Sequence, residues 1–479
     1  MKKRLLLFAV LAFVFLPFTA CNPNDKPQEP QEEENPEDKT DDQTQDPPKD
    51  LVDLTATVPI TENWIYSKRP SITFTVENPN DQAVEGTAKV SFSTDLHESL
   101  YTLEKTASVP ANGTLDIVIT PEEDFAPGFY RANCFFNKKR ARDFYFGVDP
   151  FEIQSPPDKQ PDYDEFWETA RNQLPVLDND NVKLHLIEKK STAKCNVYLV
   201  EIPSVPDGLE GDPVIVRGYY LEPTDGKPHP VIMHFYGYDT LPSKPEDPTK
   251  WSKISCPGGN NGDYAEFYLS HRGQYINARS ASKREDGIEL DFQNIYGDWF
   301  AYNFGDKNSY YYRGAFMDCV QAVRFMATRE TSDMKNLFAE GSSQGGALSY
   351  AAAALTDPDK QFSAIAPNVA FLGDFPDYFR IVDWPASVAK SNKGSMTDDE
   401  MYAFLSYFDT KNLATRINSA VWATSGLMDR TCPPHTNIAP FNNLPGQDKQ
   451  MNFYPTMTHD YPKSWNSDIS KWFKSHMTQ

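Results

Sequence analysis

Leu337-Phe338-Ala339-Glu340-Gly341-Ser342-Ser343-Gln344-Gly345-Gly346 runs directly into Ala347-Leu348-Ser349-Tyr350-Ala351-Ala352-Ala353-Ala354. The first four residues read as a short buried strand, and the small-residue run after Gly346 reads as a helix that packs closely. A serine between glycines at such a junction is a nucleophile elbow. The glycines permit the strained turn, the hydroxyl is pushed outward, and the N–H that follows the serine points to where an oxyanion would form. The bare pattern arises often by chance, and a glycine-rich turn is the plain alternative. The strand before it and the helix after it make Ser343 the candidate nucleophile.

Working outward, Pro230 to Phe235 and Ala420 to Thr424 are two more short, continuous apolar runs of the kind found in buried parallel strands. Helices are expected between them. Tyr312, Phe316, Val320, Val323 and Met326 recur at three- and four-residue steps, as do Trp465, Ile469, Trp472 and Phe473 near the C-terminus. Strands alternating with amphipathic helices predict an α/β domain with a mostly parallel sheet covered on both faces.

An elbow serine needs an imidazole to take its proton and an acid to hold that imidazole in one tautomer. In this arrangement the chain order is serine, acid, histidine. The acid reads best as Asp429, just beyond the strand Ala420 to Thr424, with a turn aspartate as the alternative. Three histidines follow it: His435, His459 and His476. His435 lies close behind Asp429 after Pro433-Pro434, and His476 sits in the terminal helix. His459 falls in the loop before that helix, where the base belongs. Asp460 is a weaker candidate acid, because neighbouring side chains in a loop rarely face each other.

Before Ser155-Pro156-Pro157-Asp158-Lys159-Gln160-Pro161 the texture is different. Leu54 to Ile60, Ser71 to Glu77, Ala88 to Ser93, Thr114 to Thr120, Phe129 to Phe136 and Asp143 to Val148 read as short strands separated by turn signals. Ile72-Thr73-Phe74-Thr75-Val76 alternates apolar and polar, so one face is buried and one is wet. Residues 51–150 therefore predict a small all-β, immunoglobulin-like sandwich. It holds no convergent serine, histidine and aspartate set and reads as a spacer, or else a glycan-contacting module. Residues 156–479 form the α/β domain.

With these motifs in place, the stretch from about Pro161 to Gln479 resembles the acetyl xylan esterase / cephalosporin-C deacetylase family of α/β-hydrolases. The resemblance rests on Asp164-Glu165-Phe166-Trp167, Arg272-Gly273-Gln274, Tyr311-Tyr312-Arg313, Gly341 to Gly346, Gly426-Leu427-Met428-Asp429 with Cys432-Pro433-Pro434, and His459. It implies a Ser343–His459–Asp429 triad and oxyanion donors from the backbone of Gln344 and Tyr238. It also implies a two-step acyl-enzyme reaction that removes acetyl groups from acetylated xylan or xylo-oligosaccharides without a metal or organic cofactor. Arg272 and Gln274 would build the wall near the oxyanion loop. The family's His-Gly-Tyr is replaced here by Tyr236-Gly237-Tyr238, so the bonding that orients this loop must differ. Ring-shaped homo-oligomers are common in the family, and the N-terminal additions could block them. Three alternatives stand beside this reading: a deacetylase of other small acetyl esters, a peptidase on the same fold, and a glycan-binding lipoprotein with an inactive hydrolase domain.

Composition supports a globular chain. Of 479 residues, 39% are hydrophobic and 24% charged, which excludes a multi-span membrane protein and a wholly disordered one. The formal charge of -22 argues against nucleic acid as a partner, since phosphate binding needs clustered Lys and Arg. Lys2, Lys3 and Arg4 precede an apolar run from Leu5 to Pro17, and Phe18-Thr19-Ala20-Cys21 resembles a bacterial lipobox. Residues 1–20 thus read as a signal peptide, and lipidated Cys21 as a membrane anchor in the cell envelope, on the outer membrane and with surface display as an option. Residues 21–50 form an acidic, Pro-rich linker that self-repels and stays extended. Cys134, Cys195, Cys256, Cys319 and Cys432 are widely spaced, with no CxxC pair, and read as buried thiols rather than a disulfide or zinc framework.

Overall fold

The computed structural model describes residues 50–238, 261–274 and 296–478. The stretch read as a signal peptide, the acidic segment up to residue 49 and Cys256 lie outside them. The first part is a β-sandwich. Strands β1 (Thr55–Thr57), β3 (Ile72–Glu77) and β6 (Thr114–Ile119) form one sheet. The other has the order β2 (Ile65–Tyr66), β8 (Lys139–Val148), β7 (Gly128–Phe136), β4 (Val84–Thr94), β5 (Ser99–Val109). The inward face alternates as the sequence does: Ile72, Phe74 and Val76 are buried, while Thr73 and Thr75 are not. The strand β5 was not anticipated. It is an edge strand exposed along most of its length, so its residues carry no burial rhythm to read.

The second part is a nine-stranded sheet. In chain order its strands are β9 (Lys183–Leu186), β10 (Cys195–Pro203), β11 (Ile215–Pro223), β12 (His229–Phe235), β13 (Ala265–Ser270), β14 (Ser332–Ser342), β15 (Ala364–Asn368), β16 (Ala420–Gly426) and β17 (Lys449–Tyr454). The spatial order is β17-β16-β15-β14-β12-β13-β11-β10-β9. From β13 to β17 every pairing is parallel; β11, β10 and β9 extend the sheet antiparallel from β13. The sheet is therefore mostly parallel, as expected, with an antiparallel wing.

The helices are α1 (Tyr163–Asn172), α2 (Tyr311–Ala327), α3 (Gln344–Leu355), α4 (Phe375–Ile381), α5 (Ala386–Asn392), α6 (Asp398–Leu405), α7 (Thr410–Ala414), α8 (Pro434–Asn442) and α9 (Trp465–Ser475). Every residue of α3 is buried, which its run of alanines makes possible by letting the helix lie close against β12, β14 and β15. On the opposite face α9 buries Trp465, Ile469 and Phe473, with Phe473 stacked on Phe338 of β14. Burying one such large apolar side chain contributes about 1.5–3 kcal/mol.

The run Pro230 to Phe235 hides a charge. His234 sits buried in β12 with Nδ1 2.7 Å from Oε1 of Glu340 in β14 and Nε2 2.9 Å from Oε2 of Glu266 in β13. Burial alone would depress its pKa, but the two carboxylates outweigh it and raise the imidazole from 6.5 to about 9. The imidazolium stitches three adjacent strands together. Its stabilising contribution is fully present below the unfolded pKa of 6.5 and is lost as pH rises through about 9. Accordingly, the gap in unfolding free energy between wild type and His234→Gln should shrink from pH 6.5 to pH 9.5 in denaturant titrations; a constant gap would show that His234 is not charged in the folded state.

Candidate active site

Ser343 connects β14 to α3 with φ 60° and ψ −121°, a strained backbone for a residue other than glycine. The turn is held by close approach of main chains. A Cβ on Gly341 would lie 2.4 Å from the Gly345 carbonyl oxygen, and one on Gly345 would lie 2.1 Å from the Phe235 carbonyl oxygen. Neither position has room for a side chain. The Ser343 N–H donates to the Asn368 carbonyl at 3.0 Å, and the Ser343 carbonyl accepts from the N–H of Phe371 at 3.0 Å.

The candidate acid and imidazole lie side by side. Asp429 is completely buried, and its Oδ2 lies 2.8 Å from Nδ1 of His459. Its Oδ1 accepts from the N–H groups of Thr431 at 2.8 Å and Cys432 at 2.9 Å, so the carboxylate is fixed within its own turn. Facing a carboxylate, Nδ1 of His459 carries the proton and Nε2 keeps its lone pair. The Cys432 thiol interacts with both Asp429 and Ser343, and burial pushes its pKa well above the usual range. Asn368 joins the two halves of the site: its Nδ2 donates to Ser342 Oγ at 2.7 Å and to the Asp460 carbonyl, beside His459, at 3.1 Å.

The other candidates are placed elsewhere. Asp460 Oδ1 accepts from the Tyr461 N–H, so this residue caps its own turn. Nδ1 of His476 is 2.7 Å from the Trp472 carbonyl, and its Nε2 is 3.1 Å from Asp448. Nε2 of His435 lies 3.0 Å from Asp374 and 3.3 Å from Asp377. These last three are the only group of metal-ligating type that converges among the described residues. Burial would lower the His435 pKa, but the carboxylates outweigh it and raise it to about 10, and Lys411 Nζ adds a second cation 2.9 Å from Asp374. The cluster is neutralised by its own side chains.

The loop after β12 carries the predicted oxyanion donor. A Cβ on Gly237 would lie 3.8 Å from the Cβ of Ser343, so the Gly237-Tyr238 segment rests directly beside the elbow. The loop is oriented by Gln274, buried, whose Nε2 donates to the Gly237 carbonyl at 2.7 Å. Tyr236, which stands where the family has histidine, stacks on Tyr268 on the outer part of the sheet. The orienting bond therefore comes from the Gln274 amide, with Tyr236 packed away from it. The Tyr238 hydroxyl donates to Asp298 at 2.8 Å, and its ring meets Trp299 and Trp384 edge-on.

Below Gln344, the first residue of α3, a chain of hydrogen bonds was not anticipated from sequence. The Tyr312 hydroxyl donates to Gln344 Oε1 at 2.8 Å, and Gln344 Nε2 lies 2.8 Å from His271 Nε2. His271 Nδ1 is 2.7 Å from the Tyr311 hydroxyl, which donates to the Arg272 carbonyl at 2.8 Å. Only one arrangement satisfies every member: His271 neutral, with its proton on Nδ1. Burial keeps it so, lowering its pKa to about 4. Arg272 is paired with Asp318 and Asp207 and lies against Gly314, where a Cβ would sit 2.2 Å from Nη1. The adjacency of His271 to Arg272-Gly273-Gln274 was the one signal available in the chain.

This geometry has counterparts in known proteins. The acetyl xylan esterase family model matches residues 152–476. The chain belongs to this family. Acetyl esterase Axe7A of Xylanibacter ruminicola is 26% identical over 359 residues, covering 73% of this chain and 75% of that protein. The acetyl xylan esterase from Paenibacillus sp. R4 superimposes with a TM-score of 0.55 at 25% identity, covering 68% of this chain and 98% of that one. Acetyl xylan esterase 1 from Thermoanaerobacterium sp. JW/SL YS485 gives a TM-score of 0.54 at 22% identity, over 67% and 96% of the two chains. The fold is that of the α/β-hydrolases, and the protein is a carboxylic ester hydrolase.

Gly345→Ala should fail to fold or lose many degrees of thermal stability, because the atom that it would strike is backbone. Gly208→Ala, whose Cβ would meet nothing closer than 3.9 Å, should be neutral in the same melting experiment. Equal melting points would mean that the elbow is looser than these contacts require.

Proposed function

We propose that this family member is a serine carbohydrate esterase that removes acetyl groups from acetylated xylan or xylo-oligosaccharides. The observation that carries the serine mechanism is the 2.8 Å contact of His459 Nδ1 with a buried Asp429, on a loop that Asn368 ties to Ser342, next to a strained Ser343. In this reading Nε2 of His459 takes the Ser343 proton as Oγ attacks the acetyl carbonyl. The tetrahedral oxyanion rests on the N–H groups of Gln344 and Tyr238. The sugar alcohol leaves with the proton held by His459, and water then hydrolyses the acetyl-enzyme by the same route in reverse. What supports a sugar ester as substrate is the family and the acetyl esterase relatives.

Ser343→Ala should lower turnover on the scale of 10⁶ and abolish labelling by a fluorophosphonate. Asp429→Asn should stay folded and lose about 10⁴ in kcat, since the histidine would then sit in the wrong tautomer. Retention of a tenth of the wild-type rate by Ser343→Ala would overturn the nucleophile. Acetate release should be measured on acetylated xylo-oligosaccharides beside simple acetyl esters. Release from the simple esters alone would keep the triad and move the substrate to other acyl compounds.

We further propose that the protein is a lipoprotein anchored through Cys21. The cationic start, the apolar run from Leu5 to Pro17 and Phe18-Thr19-Ala20-Cys21 support this. Cys21→Ser should eliminate palmitate incorporation in growing cells and release the protein from the membrane fraction; a membrane-bound, unlabelled wild type would count against it.

A further inference from the structure

The β-sandwich touches the hydrolase domain along the segment that carries the candidate acid. Arg430, immediately after Asp429, places its guanidinium 4.7 Å from the centre of the Tyr145 ring in β8. Its Nη2 also lies 3.2 Å from Nε2 of His97, in the turn after β4. A guanidinium can only donate, so this ring nitrogen accepts, and its 3.3 Å approach to the Ile381 carbonyl is left unbonded in that tautomer. Five residues further on, His435 faces Asp95 of the same sandwich turn as well as Asp374 and Asp377.

The helix α8 that starts after this turn is gripped from the same side. Asn442 Nδ2 donates to the carbonyls of Pro150 at 3.2 Å and Ile153 at 3.0 Å, where the sandwich ends. Phe151 packs on Phe441 and Phe453, and Phe129 of β7 packs on Phe453 of β17, the strand beside β16. The Asp429 turn thus contacts the sandwich through Arg430, and so do α8 and β17 beside it. The elbow and the oxyanion loop, by contrast, are held from within the hydrolase sheet, by Gly341, Gly345, Asn368 and Gln274.

From this asymmetry we infer that the β-sandwich is a positioning element of the esterase: Tyr145 and His97 clamp Arg430 and so hold Asp429 in register with His459. Arg430 and the two sandwich residues are positioning residues; none touches the reacting atoms. The sandwich is thereby more than a spacer. An exposed guanidinium over a buried tyrosine ring is a modest interaction, but it acts on a carboxylate whose partner tolerates little displacement. The inference rests on the triad assignment above.

The test is a double-mutant cycle in the full-length protein with 4-nitrophenyl acetate, each variant checked by thermal unfolding. Tyr145→Ala and Arg430→Ala should each lower kcat roughly tenfold with KM within about twofold. Tyr145→Phe, which keeps the ring, should retain wild-type kcat. In an Asp429→Asn background neither alanine variant should lower kcat further, because the group that they position is already disabled. Wild-type kcat in the alanine variants, or an equal loss with and without Asp429, would overturn the clamp. If Tyr145→Ala does not fold, Arg430→Ala and His97→Ala carry the same comparison. An Asp429→Asn enzyme with wild-type kcat would instead overturn the triad, leaving the two failures distinguishable.

Discussion

The close approach of three main chains at the elbow governs the rest of the hydrolase domain. Gly341 at the end of β14, Gly345 in the first turn of α3 and the Phe235 carbonyl at the end of β12 occupy a space that admits no side chain. That contact fixes Ser343 in its positive-φ backbone, and it fixes α3 against the sheet. It also sets the start of the loop that carries Gly237 and Tyr238, because that loop continues from Phe235. The alanines of α3 follow from the same constraint: a helix forced this near to a sheet has room only for small residues on the facing side.

Close packing of backbone brings polar groups into the interior, and each has to be satisfied there. The bonds from Tyr312 through Gln344, His271 and Tyr311 to the Arg272 carbonyl do this with one consistent set of donors and acceptors. Arg272 would be costly if buried alone, but Asp318 and Asp207 face it and Gly314 leaves space for its guanidinium. Removing one member of such a network strands the next. This explains why Tyr311, Tyr312, Arg272 and Gln344, separate in sequence, are all buried at one place.

Where a side chain's setting is fixed by its neighbours along the chain, the sequence shows it. The elbow at Ser343 was legible from the strand, turn and helix around it, and the pairing of Asp429 with His459 from chain order. The strands of the sandwich with alternating burial were legible too, but β5 was not, because an exposed edge strand has no buried face to impose a rhythm. The antiparallel wing β9 to β11 was also missed, being defined by pairing partners rather than by composition. His234 read as part of an apolar run, since Glu266 and Glu340 lie 32 and 106 residues away along the chain. Asn368, which ties Ser342 to the His459 loop, carries no local signal at all. The substitution at Tyr236 was visible as a departure, whereas the bond from the Gln274 amide to the Gly237 carbonyl required the fold.

The two halves of the site are thus built by different means. Ser343 and the start of the Gly237-Tyr238 loop are locked by backbone contacts inside one sheet, where a change of a few tenths of an ångström meets a carbonyl oxygen. The turn bearing Asp429 leaves the sheet after Gly426 and is closed by its own N–H groups, by α8 and by the side chains of the sandwich. Backbone packing admits almost no variation, whereas contacts such as Arg430 on Tyr145 are made by exchangeable side chains. The sandwich therefore meets the hydrolase at the turn bearing Asp429, while the elbow keeps its own backbone contacts. The clamp proposed above acts on that turn and leaves the elbow as it is.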